Sequence, residues 1–228
     1  MAVRQKNSSS ILEHRQTFLH CVILNVYKRK EAYVVVQTFV GEEEVMKMNA
    51  ELAERDDFTV KDVENLPEGV RAEVIDGRIF YFASPKLIHQ RLSREFAWKL
   101  INHVKSHGGF CEVLYAPIAV YLAEDGRNHL EPDVIVVCDP KKLEEDGCHG
   151  APDLVIEIVS ESTKKRDYGI KMLKYRTAGV REYWIVDPNA ETVMVYWFED
   201  EAQNCQYQWS EEITFHLFPE LYVKLTED

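Results

Sequence analysis

The feature that most constrains the fold is a helix-forming segment placed between two strongly apolar segments. The apolar segments are APDLVIEIV (151–159) and REYWIVDP (181–188). Between them lies the amphipathic DYGIKMLKYRTAG (167–179), which ends at a glycine. A helix between two consecutive strands crosses over the sheet, so the two strands are expected to run parallel. The pattern predicts an α/β (α+β) fold in which helices flank a mixed β-sheet.

Other elements follow from local signals. The stretch 71–84 has Asp76-Gly77 between two β-rich runs, which is typical of a hairpin. Apolar residues recur at helical spacing from Pro85 to about His107, with Pro85 in a first-turn position. We also predict a short helix in 58–67, strands in 110–122 (bent at Pro117), 132–138 and 192–198, and short strands in the tail.

The chain has 228 residues, which suits one large domain or a domain with an appendage. We assign residues 51–228 to the domain and residues 1–50 to an N-terminal extension. No apolar run is long enough for a membrane span, and no secretory signal is evident. The five cysteines are scattered without a CxxC pair, which argues against a disulfide scaffold and indicates a reducing, cytoplasmic location.

Charge limits the possible partners. The formal net charge is −12, with a basic excess in residues 1–30 and a strongly acidic remainder. Such a surface repels a phosphate backbone unless a local basic cleft or bound cations offset it.

Two carboxylates stand inside apolar strands. Asp133 precedes VIVV, and Glu157 is embedded in LVIEIV. Burying a carboxylate is costly unless it is paired, hydrogen-bonded or bound to a cation. If the two strands are adjacent, both carboxylates can converge on one Mg²⁺ or Mn²⁺ ion, which prefer oxygen ligands. A structural salt bridge to a cation from the following helix explains the same pattern equally well.

A cation near Glu157 has to come from another element, because Val159 occupies the next position on the same strand face. Lys171 on the following helix is well placed, with Lys164, Lys165 and Arg166 as alternatives. Helix geometry alone favours a different interpretation of Lys171, a surface lysine whose stem lies along the helix.

The motifs together resemble a known family. EPDVIVVCDP and APDLVIEIVSESTKKRDYGIKMLKYRTAGVREYWIVDP look like the Uma-two family of restriction-endonuclease-like proteins, and AEVIDGRI and SPKLIHQ match its usual opening. The resemblance covers about residues 57–225 and implies the restriction-endonuclease-like core of the PD-(D/E)XK nuclease superfamily.

The resemblance also implies roles for individual residues. Asp133 and Glu157 match the metal ligands, and Lys171 matches the lysine of the D-x-G-x-K helix motif. Glu73 matches a glutamate of the opening hairpin that completes the acidic cluster. His89 matches a family histidine, for which a structural hydrogen bond and a catalytic role both stay open. Residues 182–184 (EYW) are expected to be packing in the fourth strand.

The resulting hypothesis is a Mg²⁺- or Mn²⁺-dependent endonuclease acting on phosphodiester bonds in DNA, with no membrane partner and a homodimer left open. One alternative is a nuclease-fold protein that has lost catalysis and acts as a binding module. Another is a hydrolase that uses Glu73 and Glu157 as an acid/base pair, with Tyr81, Tyr115 and Trp184 as aromatic walls.

Overall fold

The computed structural model describes residues 55–66, 69–123 and 125–225, together with residues 50 and 52 and two short strands at 22–23 and 38–39. The extension expected over residues 1–50 therefore lies almost entirely outside the described residues. The two short strands pair in antiparallel fashion. No helix among the described residues is long and apolar enough to cross a membrane.

The helices are α1 (Val60–Glu64), α2 (Leu87–Ser106), α3 (Lys164–Arg166) and α4 (Met172–Ala178), and a π-helical turn (Asp167–Lys171) joins α3 to α4. The strands are β1 (Val22–Ile23), β2 (Thr38–Phe39), β3 (Ala72–Ile75), β4 (Arg78–Tyr81), β5 (Glu112–Tyr115), β6 (Val120–Tyr121), β7 (Asn128–His129), β8 (Val134–Val137), β9 (Leu143–Glu144), β10 (Gly147–His149), β11 (Leu154–Ile158), β12 (Glu182–Asp187), β13 (Thr192–Trp197), β14 (Cys205–Gln208), β15 (Ile213–Thr214) and β16 (Tyr222–Val223).

A six-stranded sheet in the order β14-β13-β12-β11-β8-β5 forms the centre of the domain. Strands β11 and β12 are parallel, and the other neighbouring pairs are antiparallel. The helical segment from Lys164 to Ala178 provides the crossover that the parallel pair requires. The predicted mixed sheet is confirmed.

The predicted hairpin is also confirmed, and it forms a separate sheet. Strand β3 pairs with both β4 and β7. At its turn, Asp76 and Gly77 both have positive φ angles. A Cβ atom at Gly77 would overlap the backbone oxygen of Asp56, so this position needs glycine for space as well as for conformation.

Alternate residues of β11 enter two different apolar clusters. Ile156 and Ile158 pack on the side of α2, with Phe96 and Trp184. Val155, together with Val159 directly after the strand, packs on the other side with Tyr175 of α4 and Tyr183. A strand covered on both faces is apolar at every position, which explains why Glu157 is conspicuous in the sequence.

The expected packing role of residues 182–184 is confirmed for Tyr183 and Trp184, which are fully buried. Glu182 is buried beside them as a hydrogen-bond acceptor. Its carboxylate accepts from Trp184 Nε1 (2.7 Å) and from the backbone N–H groups of His216 (3.0 Å) and Leu217 (2.7 Å). The Glu182 carboxylate therefore stabilises the position of the segment after β15 against the core.

Three expectations need correction. Pro85 lies before the helix, because Lys86 is the N-cap residue with an extended backbone. The 110–122 region is two strands, β5 and β6, separated at the cis Ala116–Pro117 bond. A disulfide joins Cys111 to Cys138 across neighbouring strands, whereas the scattered spacing gave no sign of a pair. Cys148 and Cys205 are free.

We expect Phe96→Ala to lower the free energy of unfolding by about 3–5 kcal/mol, because it opens a cavity where α2 meets the sheet. Phe96 is fully buried, and its ring lies edge-on to Trp184 with centroids 5.9 Å apart. Trp98→Ala on the same helix is the matched control, since Trp98 is mostly exposed. Urea unfolding measures both, and equal losses would contradict the packing described.

Candidate functional site

Asp133 and Glu157 lie opposite each other at one end of the central sheet. Strands β8 and β11 are antiparallel with Val134 facing Ile156. Continuing that register by one residue places Asp133 across from Glu157. Residues directly opposite on neighbouring strands project to the same face of the sheet. Both carboxylates line one cavity.

Asp133 is held by two contacts to the same oxygen atom. The backbone N–H of Ile158 donates to Asp133 Oδ2 (2.7 Å), and His89 Nε2 lies 3.1 Å from that oxygen. Burial lowers the pKa of His89, but its hydrogen bond to Asp133 and the negative charges nearby outweigh burial and raise that pKa. His89 and the Ile158 N–H therefore orient Asp133 through Oδ2, and among the described residues no contact falls on Oδ1.

Lys171 is buried, with 1% of its side chain exposed, so the surface interpretation is wrong. Its Nζ lies 2.6 Å from Glu73 Oε1 and 2.7 Å from Glu157 Oε1. Tyr175, one turn further along the helix, donates its hydroxyl to the same Glu157 oxygen (2.8 Å). The expected cation for Glu157 thus comes from the helix. The Lys164 ammonium binds Asp187 instead (2.6 Å), and Lys165 is exposed.

Glu73 lies behind Lys171, fully buried on β3. Its second oxygen lies 3.2 Å from Arg166 Nε, and its first oxygen accepts from the Glu131 backbone N–H (3.1 Å). Burial raises the pKa of Glu73, but the charges of Lys171 and Arg166 outweigh burial and lower it. Glu73 is not among the residues that line the cavity. Glu73 therefore holds Lys171 in position from behind the cavity wall.

Asp167 belongs to the site as well, although the sequence indicated it only as the start of the helix motif. It is buried in the wall of the cavity, 3.6 Å from Lys171 Nζ. Its Oδ1 atom has no hydrogen-bond partner among the described residues. The sequence signal that could have identified Asp167 is the Asp-x-x-x-Lys spacing, which puts both side chains on one helix face. The π-helical turn that contains both residues is a feature often found at functional sites.

The site holds more negative than positive charge. In the described part of the chain, the carboxylates of Glu73, Asp133, Glu157 and Asp167 surround two permanent cations, Lys171 and Arg166. Burial raises the pKa of Glu157 well above its usual value; Lys171 opposes this, and the neighbouring carboxylates add to it. The pKa of Asp167 is also raised, mainly by burial. The excess charge favours binding of a further cation or proton.

The cavity has a volume of about 430 Å³ and runs between the carboxylates and one face of α2. Its charged wall includes Asp133, Glu157, Asp167, Arg166 and Lys171. The volume is that of a typical small-ligand site.

The donor set of Asp133 and Glu157 fits a hard divalent cation. Within the described ranges, the contacts of Glu157 fall on Oε1 and those of Asp133 on Oδ2, so each carboxylate keeps a second oxygen for a ligand. Mg²⁺ commonly binds one or two carboxylates and completes its shell with water and phosphate oxygens. Asp133, Glu157 and Asp167 do not form a tight three-ligand cage: among the described residues, three ligand atoms lie within 4.8 Å of one another only in the surface group Glu144, Asp146 and His149.

The carbohydrate-hydrolase alternative does not match this geometry. Glu73 is paired with two cations and lies outside the cavity wall, so it cannot act as a partner acid to Glu157 at a substrate. Trp184, expected as an aromatic wall, is fully buried in the opposite cluster.

A family model described as "Uma2: Putative restriction endonuclease" matches residues 60–225. The chain belongs to the Uma2 family. Uncharacterized protein slr1290 of Synechocystis is 27% identical over 131 residues, which cover 57% of this chain and 67% of that protein. A crystal structure from Anabaena variabilis, titled as "a putative nuclease belonging to DUF820", superposes with a TM-score of 0.60 and 22% identity, covering 74% of this chain and 95% of that one.

The Uma2 assignment confirms the family that the motifs indicated and supports a nuclease-like function. The Anabaena structure, at its low identity, supports the fold: a mixed sheet flanked by helices.

Lys171→Met should destabilise the protein by about 3–5 kcal/mol, because it leaves Glu73 and Glu157 buried without their shared cation. The double variant Lys171→Met/Glu157→Gln should recover part of that loss, since Glu157 has Lys171 as its cation among the described residues and the added substitution removes the charge left unpaired. Denaturant unfolding measures both. Lys174→Met, which removes only the partly exposed pair with Asp76, is the control and should cost less than about 1 kcal/mol. Equal effects at positions 171 and 174 would contradict the buried network.

Proposed function

We propose that the protein is a metal-dependent endonuclease that hydrolyses phosphodiester bonds in DNA, with Asp133 and Glu157 holding Mg²⁺ or Mn²⁺. The observation that carries the proposal is the convergence of two carboxylates from adjacent strands beside a buried lysine, inside one cavity. When bound, such an ion supplies a water of lowered pKa and a Lewis acid for the phosphate.

The chain's own residues have distinct tasks in this proposal. His89 and the Ile158 N–H hold Asp133 in one orientation. Lys171 and Tyr175 do the same for Glu157, and Glu73 holds Lys171 in turn. Asp133 and Glu157 present their remaining oxygens to the cavity. Preorganised groups of this kind need no rearrangement as charge develops in the transition state.

Positive charge for the phosphate comes from the cavity wall. Arg166 and Lys171 both line it, and the Arg166 guanidinium lies over the Phe80 ring, 4.9 Å from the centroid. The Arg166 Nε atom lies 3.2 Å from Glu73 Oε2, so Glu73 fixes the guanidinium at the wall. Arg166 is therefore suited to stabilise the negative charge of a phosphate at the wall. These cations act locally, so the acidic surface elsewhere does not prevent a phosphate from approaching.

Asp133→Asn should lower cleavage about 100-fold or more, roughly 3 kcal/mol of transition-state stabilisation. Asparagine retains an acceptor for the Ile158 N–H, so the fold should persist. The test is nicking and cleavage of single- and double-stranded DNA with Mg²⁺ or Mn²⁺. Asp139→Asn is the matched control, because within the described residues that exposed carboxylate accepts just the Lys141 N–H at the start of a 3₁₀ helix.

Metal binding gives a second readout that does not depend on cleavage. Mn²⁺ should raise the melting temperature of the wild type and of Asp139→Asn, and should do so much less for Asp133→Asn. Metal stabilisation without cleavage of any strand would instead favour a nuclease-fold binding module. Unchanged cleavage in Asp133→Asn would rule out the proposed site.

A further inference from the structure

The cavity continues beyond the carboxylates along one face of α2. Its lining on this helix includes Gln90, Arg94, Trp98 and Ile101, which are spaced by three or four residues and therefore share a face. From Gln90 to Ile101 the helix rises about 17 Å. The opposite core face of the same helix packs on the sheet through Leu92, Phe96 and Leu100.

This continuation has exposed aromatic walls. Trp98 is 58% exposed on α2, and Tyr115 is 57% exposed at the end of the edge strand β5. Both line the cavity, as does the partly exposed Ile88. Large aromatic side chains at a cavity wall leave apolar rings in contact with water, which a ligand with flat faces can cover.

Positive charge lies on the same face. Arg94 is exposed between His89 and Trp98, and it takes part in no ion pair within the described ranges. A guanidinium one helical turn from an indole can bind a phosphate or stack on a base. The carboxylates that we propose as metal ligands line the same cavity.

We infer that this part of the cavity binds unpaired nucleotides, with bases stacked on Trp98 and Tyr115 and the sugar–phosphate chain leading to Asp133 and Glu157. The inference rests on the proposed function and specifies its substrate class as single-stranded nucleic acid or an unpaired end. Bases in a duplex are stacked on one another and cannot cover these rings unless they leave the helix. Stacking also supplies affinity that does not depend on a basic surface, which this chain of net charge −12 lacks.

Binding can be measured with the full chain in EDTA, by fluorescence anisotropy of labelled probes of equal length. The probes are single-stranded DNA, single-stranded RNA, a DNA duplex, and a DNA strand without bases. We expect single-stranded DNA and single-stranded RNA to bind at least about tenfold more tightly than the duplex and the abasic strand. The ratio of the DNA and RNA dissociation constants identifies the preferred sugar.

Trp98→Ala should weaken single-strand binding about tenfold or more and leave abasic-strand binding unchanged. Phe110→Ala is the matched control, because Phe110 is more exposed than Trp98 and lies outside the cavity lining. Melting temperatures show that both variants are folded. Equal binding of single strand and duplex, or no difference between the Trp98 and Phe110 variants, overturns the inference.

The outcomes separate this inference from the proposed function. If binding requires bases and is lost in Trp98→Ala, but no metal-dependent cleavage is seen, the nucleotide-binding site stands and the proposed nuclease function fails. If cleavage is lost in Asp133→Asn but is unchanged in Trp98→Ala, the proposed nuclease function stands and the stacking site is overturned. Sedimentation of the same variants tests whether a second copy of the chain covers this face instead. If the wild type is a dimer that Trp98→Ala dissociates while nucleic-acid binding is unaffected, the face is a subunit interface and the inference is also overturned.

Discussion

The buried ammonium of Lys171 is the interaction on which the arrangement of the site depends. It contacts Glu73 from the hairpin sheet and Glu157 from the central sheet, so one charge joins two sheets and the crossover helix. A buried charge is tolerated only when its partners are close and well oriented. The positions of β3, β11 and the π-helical turn are therefore mutually restricted, and Glu157 is kept in place at the cavity.

The sequence predicted most of the framework because the framework follows local rules. The Asp-Gly turn, the helical spacing of α2 and the apolar runs of β11 and β12 are each visible within a few residues. Glu157 was conspicuous for the same reason: a charge stood where an apolar residue was expected. Asp133 was noticeable in the same way, because it directly precedes the apolar run VIVV.

The contacts of the site were less predictable because they join distant segments. A lysine on an amphipathic helix is usually a surface residue, and the burial of Lys171 is tolerable because it contacts Glu157 and also Glu73, which lies about a hundred residues away in the chain. The resemblance indicated Lys171 where helix geometry did not. Asp167 was missed as a wall residue because nothing local shows that its turn is buried. The Cys111–Cys138 pair depends on the register of β5 and β8, which spacing does not reveal.

The distance along the chain between Glu73 and Lys171 has a consequence for synthesis. Translation adds about 5–20 residues per second, so Glu73 is made roughly 5–20 s before Lys171. During that interval Glu73 lacks the ammonium of Lys171, and the energetic penalty for burying an unpaired carboxylate keeps that part of the chain open to water. The strands of the hairpin can pair early, but the charged centre closes only after the crossover helix emerges. The charged centre therefore forms only after β3, β8 and β11 have all been made.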